Sequence, residues 1–386
     1  MHIIFFGLDL NHPFQPTAAR IAYELSKNLI KYGHQITLLT KGKHSYTENS
    51  INFLGMPINP YPANLNYINI SNTIKKIGHP DIINGIGGLY SMFFGSHLFR
   101  HFKTPYIHTL TTGGFPSLNF SKRKIRSIWE FAFDVGLKNP LATSSTIFWS
   151  PRLIRCINNN MNIKGIITPS IRLLKFIQNY FQKSKDNPIF HHIPFGVDTK
   201  RFSPIEFSQN NKISKIIYFG HANRHRGFLT LIRSFRVINK IVPKIQLEVF
   251  TPSPPPFPIR DKKNIKINIG TVSNIDYFIK TAKIIALPFH FAIPELPLTI
   301  LESMACGNAV ITTNILGIPE VIEGDVNGIL VDPYDSKELS KKIMHLLDDE
   351  NILELLRCSA RKSSLNYDWK EISIKYLRMY NSVINE

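Results

Sequence analysis

Pro288 to Ile311, PFHFAIPELPLTILESMACGNAVI, is the stretch whose reading decides the fold. It continues an apolar strand, Ile284-Ile285-Ala286-Leu287, into a loop holding Pro294 and Pro297. Leu298 to Cys306 then reads as a helix, with Leu298, Leu301 and Ala305 on one face at helical spacing. Pro297 suits the first helical position, where its missing N–H costs nothing. Gly307 and Asn308 stop the helix, and Ala309-Val310-Ile311 starts the next strand. The N–H groups of Leu298, Thr299 and Ile300 have no partner within the helix and carry positive partial charge, a ready place for a phosphate. Glu302 lies about one turn further in, on a different face from Leu301. Taken alone, the stretch is equally well a packed strand, loop and helix with an N-terminal proline.

The same alternation runs outward along the chain. His2 to Phe6, Gln35 to Leu39, Pro80 to Asn84, Pro105 to Thr109 and Gly165 to Pro169 read as strands, and Ala18 to Tyr32 as an amphipathic helix. Beyond a polar linker, Pro204 to Lys212, come strands at Ile213 to Phe219, Gln246 to Phe250 and Ile267 to Val272. Helices are expected at Phe228 to Asn239, Ile275 to Ala282, Ser336 to Leu347, Asn351 to Ser364 and Trp369 to Val383. Strands alternating with helices imply an α/β fold with mostly parallel, doubly wound sheets, in which ligands gather at the carboxyl ends of the strands.

Glu302 to Ile311, ESMACGNAVI, resembles the closing half of the signature of the family-4 retaining glycosyltransferases (glycosyl transferase group 1), whose fold is GT-B. HIPFGVDTKRFSP, from His192, resembles that family's crossover between domains, and KYGHQITLLT its second strand. The resemblance implies two Rossmann-like doubly wound domains facing across a cleft. Residues 1–200 would be the acceptor-side domain, 212–366 the nucleotide-sugar-binding domain, and 367–386 a helix returning to the first. It implies sugar transfer with retention, from a UDP-sugar or GDP-sugar donor to a glycan or lipid-linked acceptor, with no metal and no other cofactor.

Site residues carry over one by one. Gly220-His221-Ala222-Asn223-Arg224-His225-Arg226-Gly227 follows a strand and precedes a helix, a plausible diphosphate site. It resembles the family's GRLxxxKG segment: Arg226 takes the Lys position with a bidentate fork, and His221 takes the Arg position, with Arg224 as a supplement. A solvated charge run is the plainer alternative. Gly270 falls in the strand that borders the base in relatives. Leu298 and Thr299 would offer amides to the diphosphate, and Glu302 would accept from the ribose. The family's first signature Glu falls at Pro294 here, leaving Glu295 as the candidate for sugar hydroxyls. The first domain departs further. The loop Asn11 to Ala19 lacks paired glycines, although Thr17 and the amides of Ala18 and Ala19 could face the cleft, or Thr17 could simply cap the helix, and Thr111 stands where many relatives have a His. His108 shares a strand face with Leu110, a placement more often packed than catalytic. Gly85, Gly87 and Gly88 read as a loop after the Asp81 strand, and Gly113 and Gly114 as another.

With 386 residues and 43% hydrophobic composition, two domains with sizeable cores are expected. The start, MHIIFFG, reads as a strand rather than a signal peptide, and no apolar run is long enough to span a bilayer. Cys156, Cys306 and Cys358 lack metal or redox spacing, which fits a reduced, cytoplasmic protein. A net charge of +19 attracts anionic partners, or reflects general lysine richness. Ser121 to Phe133, SKRKIRSIWEFAF, could lie on an anionic membrane surface or be an ordinary surface helix. Nucleic acid is not expected, since no aromatic-basic recognition motif occurs. Two other functions stay open: a nucleotide-sugar 2-epimerase of the same fold, and a catalytically impaired nucleotide-sugar-binding protein.

Overall fold

The computed structural model describes residues 1–7, 10, 17–41, 44–56, 78–99, 102–112, 163–181, 188–205, 215–260, 262–291 and 295–385. They divide into two compact units. One holds the described parts of Met1–Pro116, Ser144–Phe195 and Trp369–Glu386, the other those of Gly196–Asp368.

The first unit is built on one eight-stranded sheet. Its strands are β1 (His2–Phe6), β2 (Gln35–Lys41), β3 (Tyr46–Glu48), β4 (Ile51–Met56), β5 (Ile82–Gly88), β6 (Tyr106–Thr112), β7 (Ile163–Thr168) and β8 (Ile189–His192), in the order β3-β4-β2-β1-β5-β6-β7-β8. Every pairing is parallel except the β3–β4 hairpin. Ile3, Ile4, Phe5 and Phe6 are all fully buried, as a central parallel strand covered on both faces requires, which is why β1 reads as a continuous apolar run. The helices are α1 (Thr17–Lys31), α2 (Leu89–Phe99) and α3 (Ile171–Phe181). The expected loop at Gly85, Gly87 and Gly88 is corrected: all three lie inside β5. A Cβ on Gly85 would overlap the Tyr106 hydroxyl and the His108 ring, and Gly87 adopts φ 151° at a shift of register. Gly85 and Gly87 make room for neighbours rather than loosening a loop.

The second unit holds six parallel strands: β9 (Lys215–Phe219), β10 (Gln246–Thr251), β11 (Ile265–Ile269), β12 (Ile284–Leu287), β13 (Ala309–Thr313) and β14 (Ile329–Val331). Their order is β11-β10-β9-β12-β13-β14. The chain winds outward from β9 to one side, then returns to begin again at β12, so the switch point lies between β9 and β12. In doubly wound sheets ligands bind at the carboxyl ends of the strands beside such a switch point. The helices are α4 (Phe228–Ile241), α5 (Ile275–Lys280), α6 (Leu298–Ala305), α7 (Ser336–Asp348) and α8 (Glu350–Ser364). Asp335 caps α7 by accepting from the amides of Lys337 and Glu338, and Asp349 does the same for α8 with Asn351 and Ile352. Asn308, fully buried after α6, donates to the carbonyls of Ile279 and Ala282 and fastens α6 to α5.

The last helix, α9 (Trp369–Ile384), packs on the first unit. Its Tyr380 hydroxyl donates to Asn84 Oδ1 at 3.2 Å, and the Asn84 amide reaches Thr109 Oγ1 at 3.1 Å. Gly165 leaves space for Met379, since a Cβ there would overlap the Met379 methyl.

Candidate functional site

The site is built where β9 and β12 end. Gly220 leaves β9 at φ 126° and donates its N–H to the Phe250 carbonyl at 2.9 Å. A Cβ on Gly220 would sit 3.9 Å from Nη1 of Arg226, so the guanidinium lies beside bare backbone. The loop is knit from within: the Tyr218 hydroxyl donates to the His221 carbonyl at 2.6 Å, and the Gly227 amide donates to Arg224 at 2.8 Å. Thr251, at the end of β10, accepts from the Ala222 amide at 3.2 Å and takes the Gly270 amide on its own carbonyl at 2.9 Å. Gly270 itself has φ 113° and open space around it. Gly220, His221, Arg224 and Arg226 thus share one loop, with Gly270 tied to it through Thr251.

The loop after β12 is pressed onto this one. The buried His225 accepts on its carbonyl from the amides of His290 at 3.0 Å and Phe291 at 2.8 Å. Gly227, at φ 72°, meets Pro288 so closely that any Cβ would overlap the Pro288 carbonyl oxygen. Arg226 lies 5.8 Å over the Phe289 ring, and Arg224 lies 5.0 Å over Phe257. Burial lowers the Arg226 pKa, with Tyr218 opposing, but a guanidinium stays charged at any ordinary pH. His221 behaves differently. Desolvation first, then the charges of Arg226 and His225, lower it to about 4, so at neutral pH it is an uncharged imidazole that can share a hydrogen bond but adds no cation.

The start of α6 departs from expectation in two ways. Pro297 is the N-cap, at φ −65° and ψ 123°, not the first helical residue. The Ile300 amide is also not free: it donates to the Pro297 carbonyl at 3.0 Å. Among the described residues no backbone bond uses the amides of Leu298 or Thr299, and the Thr299 hydroxyl is buried without a partner. Glu295 is 2% exposed and its carbonyl accepts from the Gly317 amide at 3.2 Å; Glu302 is 5% exposed on α6. Burial, with lesser effects from neighbouring charges that include Glu302, pushes the Cys306 thiol up to about 12, so this cysteine fills space and is no nucleophile.

Several residues in this assembly carry no local sequence signal. His290 Nε2 is 2.8 Å from Thr230 Oγ1 on α4, and its ring packs against Tyr334, tilted by 31°, with centroids 3.6 Å apart. Tyr334 takes the left-handed conformation, φ 70°, that only special positions tolerate. The positive φ of Tyr334 and the bridging role of Thr251 depend on packing between segments distant in sequence.

In the first unit, His108 is fully buried. Its Nδ1 is 2.8 Å from the Tyr106 hydroxyl and its Nε2 3.4 Å from the Gly87 carbonyl. Thr111 is buried on β6. Thr17 begins α1, and Ala18 and Ala19 are buried on it. Asn11 to Pro16, Gly113, Gly114, Ser121 to Phe133 and Cys156 lie outside the described residues. Among the described residues no group of three His, Cys, Asp or Glu is placed to hold a metal ion, and no helix is long and apolar enough to cross a membrane.

Two doubly wound parallel-sheet units, the second with a cationic loop at its switch point, define the GT-B fold. Solved structures agree over nearly the whole chain. Sucrose-phosphate synthase from Thermosynechococcus elongatus superposes with a TM-score of 0.72 at 16% identity, covering 100% of this chain and 99% of that one. Anabaena HepE, solved in complex with UDP-glucose, superposes with a TM-score of 0.69 at 14% identity, covering 99% and 100%. The family model for the glycosyl transferases group 1 matches residues 213–349, within the second unit, which includes Glu302 to Ile311. Among curated relatives, the N,N'-diacetylbacillosaminyl-diphospho-undecaprenol alpha-1,3-N-acetylgalactosaminyltransferase of Campylobacter jejuni is 32% identical over 116 residues. That match spans 30% of this chain and 30% of the relative's length. An uncharacterized glycosyltransferase of Methanocaldococcus jannaschii is 22% identical over 72% of this chain and 74% of its own.

Proposed function

We propose that the chain is a retaining glycosyltransferase that takes a sugar from a nucleotide-diphosphate donor bound to the second unit. One observation carries the reading: at the switch point, Arg226 lies beside the bare backbone of Gly220, and the start of α6 offers two unused amides and the unpartnered Thr299 hydroxyl. A pyrophosphate would supply acceptors for these groups. Arg226 and the amides of Leu298 and Thr299 would stabilise the charge that grows on the diphosphate as the sugar leaves, a role that requires no metal ion. Glu302 would accept from the ribose hydroxyls, and Glu295 would take the sugar hydroxyls in place of the signature carboxylate absent at Pro294. The solved neighbour that holds UDP-glucose makes a UDP-sugar the first donor to test. The Campylobacter relative, named for a diphospho-undecaprenol acceptor, makes a lipid-linked acceptor the first class to try.

Titration calorimetry with UDP-sugars and GDP-sugars tests the site. Arg226→Ala and Glu302→Ala should each weaken donor binding about tenfold or more, the loss expected for a charge-assisted hydrogen bond. Unchanged affinity in both variants would reject the assignment. The anomeric configuration of the product, read by NMR, tests retention, and product release without any acceptor would point to an epimerase instead.

A further inference from the structure

Charge is divided unevenly within the second unit. From Lys215 to Gly270 there are eleven Lys and Arg against two Asp and Glu, whereas from Thr271 to Asp368 there are eight against fourteen. General lysine richness cannot account for a basic half and an acidic half in one folded unit. Arg224 and Arg226 serve the site at the carboxyl ends of the strands; most of the remaining cations sit at the opposite pole. All strands of this sheet are parallel, so Lys215 at the start of β9, Lys244 just before β10, and Lys262 and Lys263 just before β11 share the amino pole. The helix α4 runs back from the carboxyl pole and delivers Lys240 and Ile241 there as well. The turn before β11 is fastened to the end of α4, because the Asn264 side chain donates to Asn239 at 2.8 Å and to the Pro243 carbonyl at 2.6 Å. These lysines therefore form one surface.

Within Lys215 to Gly270, Glu248 is the sole acidic residue among the described residues, and it is occupied by Lys215 and Lys266; Glu350, which follows α7 to the same pole, is occupied by Lys283. Lys240, Lys244 and Lys262 are exposed and make no ion pair among the described residues. Two aliphatic side chains stand among them on the outer face of α4, Ile241 at 63% exposure and Val237 at 46%, with Arg233 one turn above. Lysines surrounding exposed aliphatic side chains match a bilayer surface, where phosphate headgroups take the charge and the apolar groups enter the acyl boundary. Nucleic acid fits less well, since among the described residues of this pole no aromatic ring is exposed to stack on a base.

We propose that the amino pole of the second unit, formed by Arg233, Val237, Lys240, Ile241, Lys244 and Lys262, docks on an anionic lipid bilayer. The surface is separate from the donor site and does not depend on its assignment. The test is flotation of the full chain with vesicles of phosphatidylglycerol and phosphatidylcholine, and with phosphatidylcholine alone. Binding should require the anionic lipid and weaken with salt. Each lysine removed should lower partitioning about fivefold, so the triple variant Lys240→Gln, Lys244→Gln, Lys262→Gln should lose well over tenfold. Ile241→Ser should lose several-fold while keeping the salt dependence. The pair Lys337→Gln, Lys341→Gln, on the acidic half, should leave binding intact. Thermal melts of these surface variants should match the parent and show that folding is not the cause. No binding of the parent chain to anionic vesicles would overturn the proposal. So would full binding by the triple variant, which would place any membrane contact elsewhere on the chain, or tighter binding to single-stranded DNA than to vesicles at equal salt.

Discussion

The Thr299 hydroxyl is buried and meets no partner among the described residues, a deficit that costs a fold about 1–3 kcal/mol. Replacing it with the isosteric valine should leave stability equal or higher while weakening UDP-sugar binding by about tenfold, the worth of one hydrogen bond to a charged group. Urea unfolding and calorimetry on Thr299→Val check both halves; a variant that binds as tightly as the parent would show that the hydroxyl plays no part. His108 makes a different kind of prediction. Burial, opposed by backbone bonds to Gly87 and Gly88, lowers its pKa to about 3. The folded state thus disfavours protonation relative to the unfolded chain, whose His titrates near 6.5. Its contribution to stability is complete above about pH 6.5 and is lost as pH falls toward 3, at up to roughly 1.4 kcal/mol per pH unit. Between pH 7 and pH 5, unfolding by urea should therefore cost the parent more stability than His108→Asn; an equal loss in both would contradict the assignment. Residues of these two kinds differ in legibility. Arg226 stands out in the sequence because it follows a strand and a glycine and precedes a helix. Thr230, His290 and Tyr334 meet only through tertiary packing, and nothing local in any of the three announces the others.

At the level of elements, the loops after β9 and β12 are held together by a close approach that only glycine permits. A Cβ on Gly227 would overlap the Pro288 carbonyl oxygen, and φ is 72°. Gly227→Ala should thus cost about 2–3 kcal/mol of stability, from overpacking and backbone strain together. It should also reduce donor affinity, because the carbonyl of His225 could no longer hold the amides of His290 and Phe291. Gly270→Ala provides the contrast: φ is 113° but nothing lies within 4 Å, so strain alone, about 1 kcal/mol, is expected. Equal losses in the two variants, measured by urea unfolding, would dispose of the close-approach argument. The apolar run Ile284 to Leu287 is legible as strand because it is short, uninterrupted and bounded by a proline-containing loop, as a buried parallel strand requires. The hairpin of β3 and β4 leaves no comparable trace in the sequence. Its first strand is three exposed residues, and its turn places Asn49 and Ser50 at positive φ without a glycine to mark it. The glycines of β5 resemble a loop in sequence, whereas Gly85 is required there by the Tyr106 hydroxyl and the His108 ring.

For the whole molecule, periodicity shows that Trp369 to Ile384 has an apolar face but not what covers it. In the structure that face closes the first unit, to which the chain returns after completing the second. Ile372, Tyr376, Met379 and Tyr380 are all buried on it, Tyr380 bonds Asn84, and Gly165 is shaped around Met379. Burying four such side chains contributes roughly 6–12 kcal/mol at 1.5–3 kcal/mol each. That is comparable to the entire stability of a typical unit, about 5–15 kcal/mol. A chain ending at Asp368 should therefore keep a folded second unit, whose strands and helices lie wholly within residues 215–364, beside a first unit that no longer folds cooperatively. Urea unfolding followed by circular dichroism should show one surviving transition with reduced amplitude. Limited proteolysis should cut throughout residues 1–195 while sparing the rest. Should the truncated chain resist protease across β1, β5 and β6 as the full chain does, the first unit would be self-sufficient, and the last helix would contribute far less than its buried face implies.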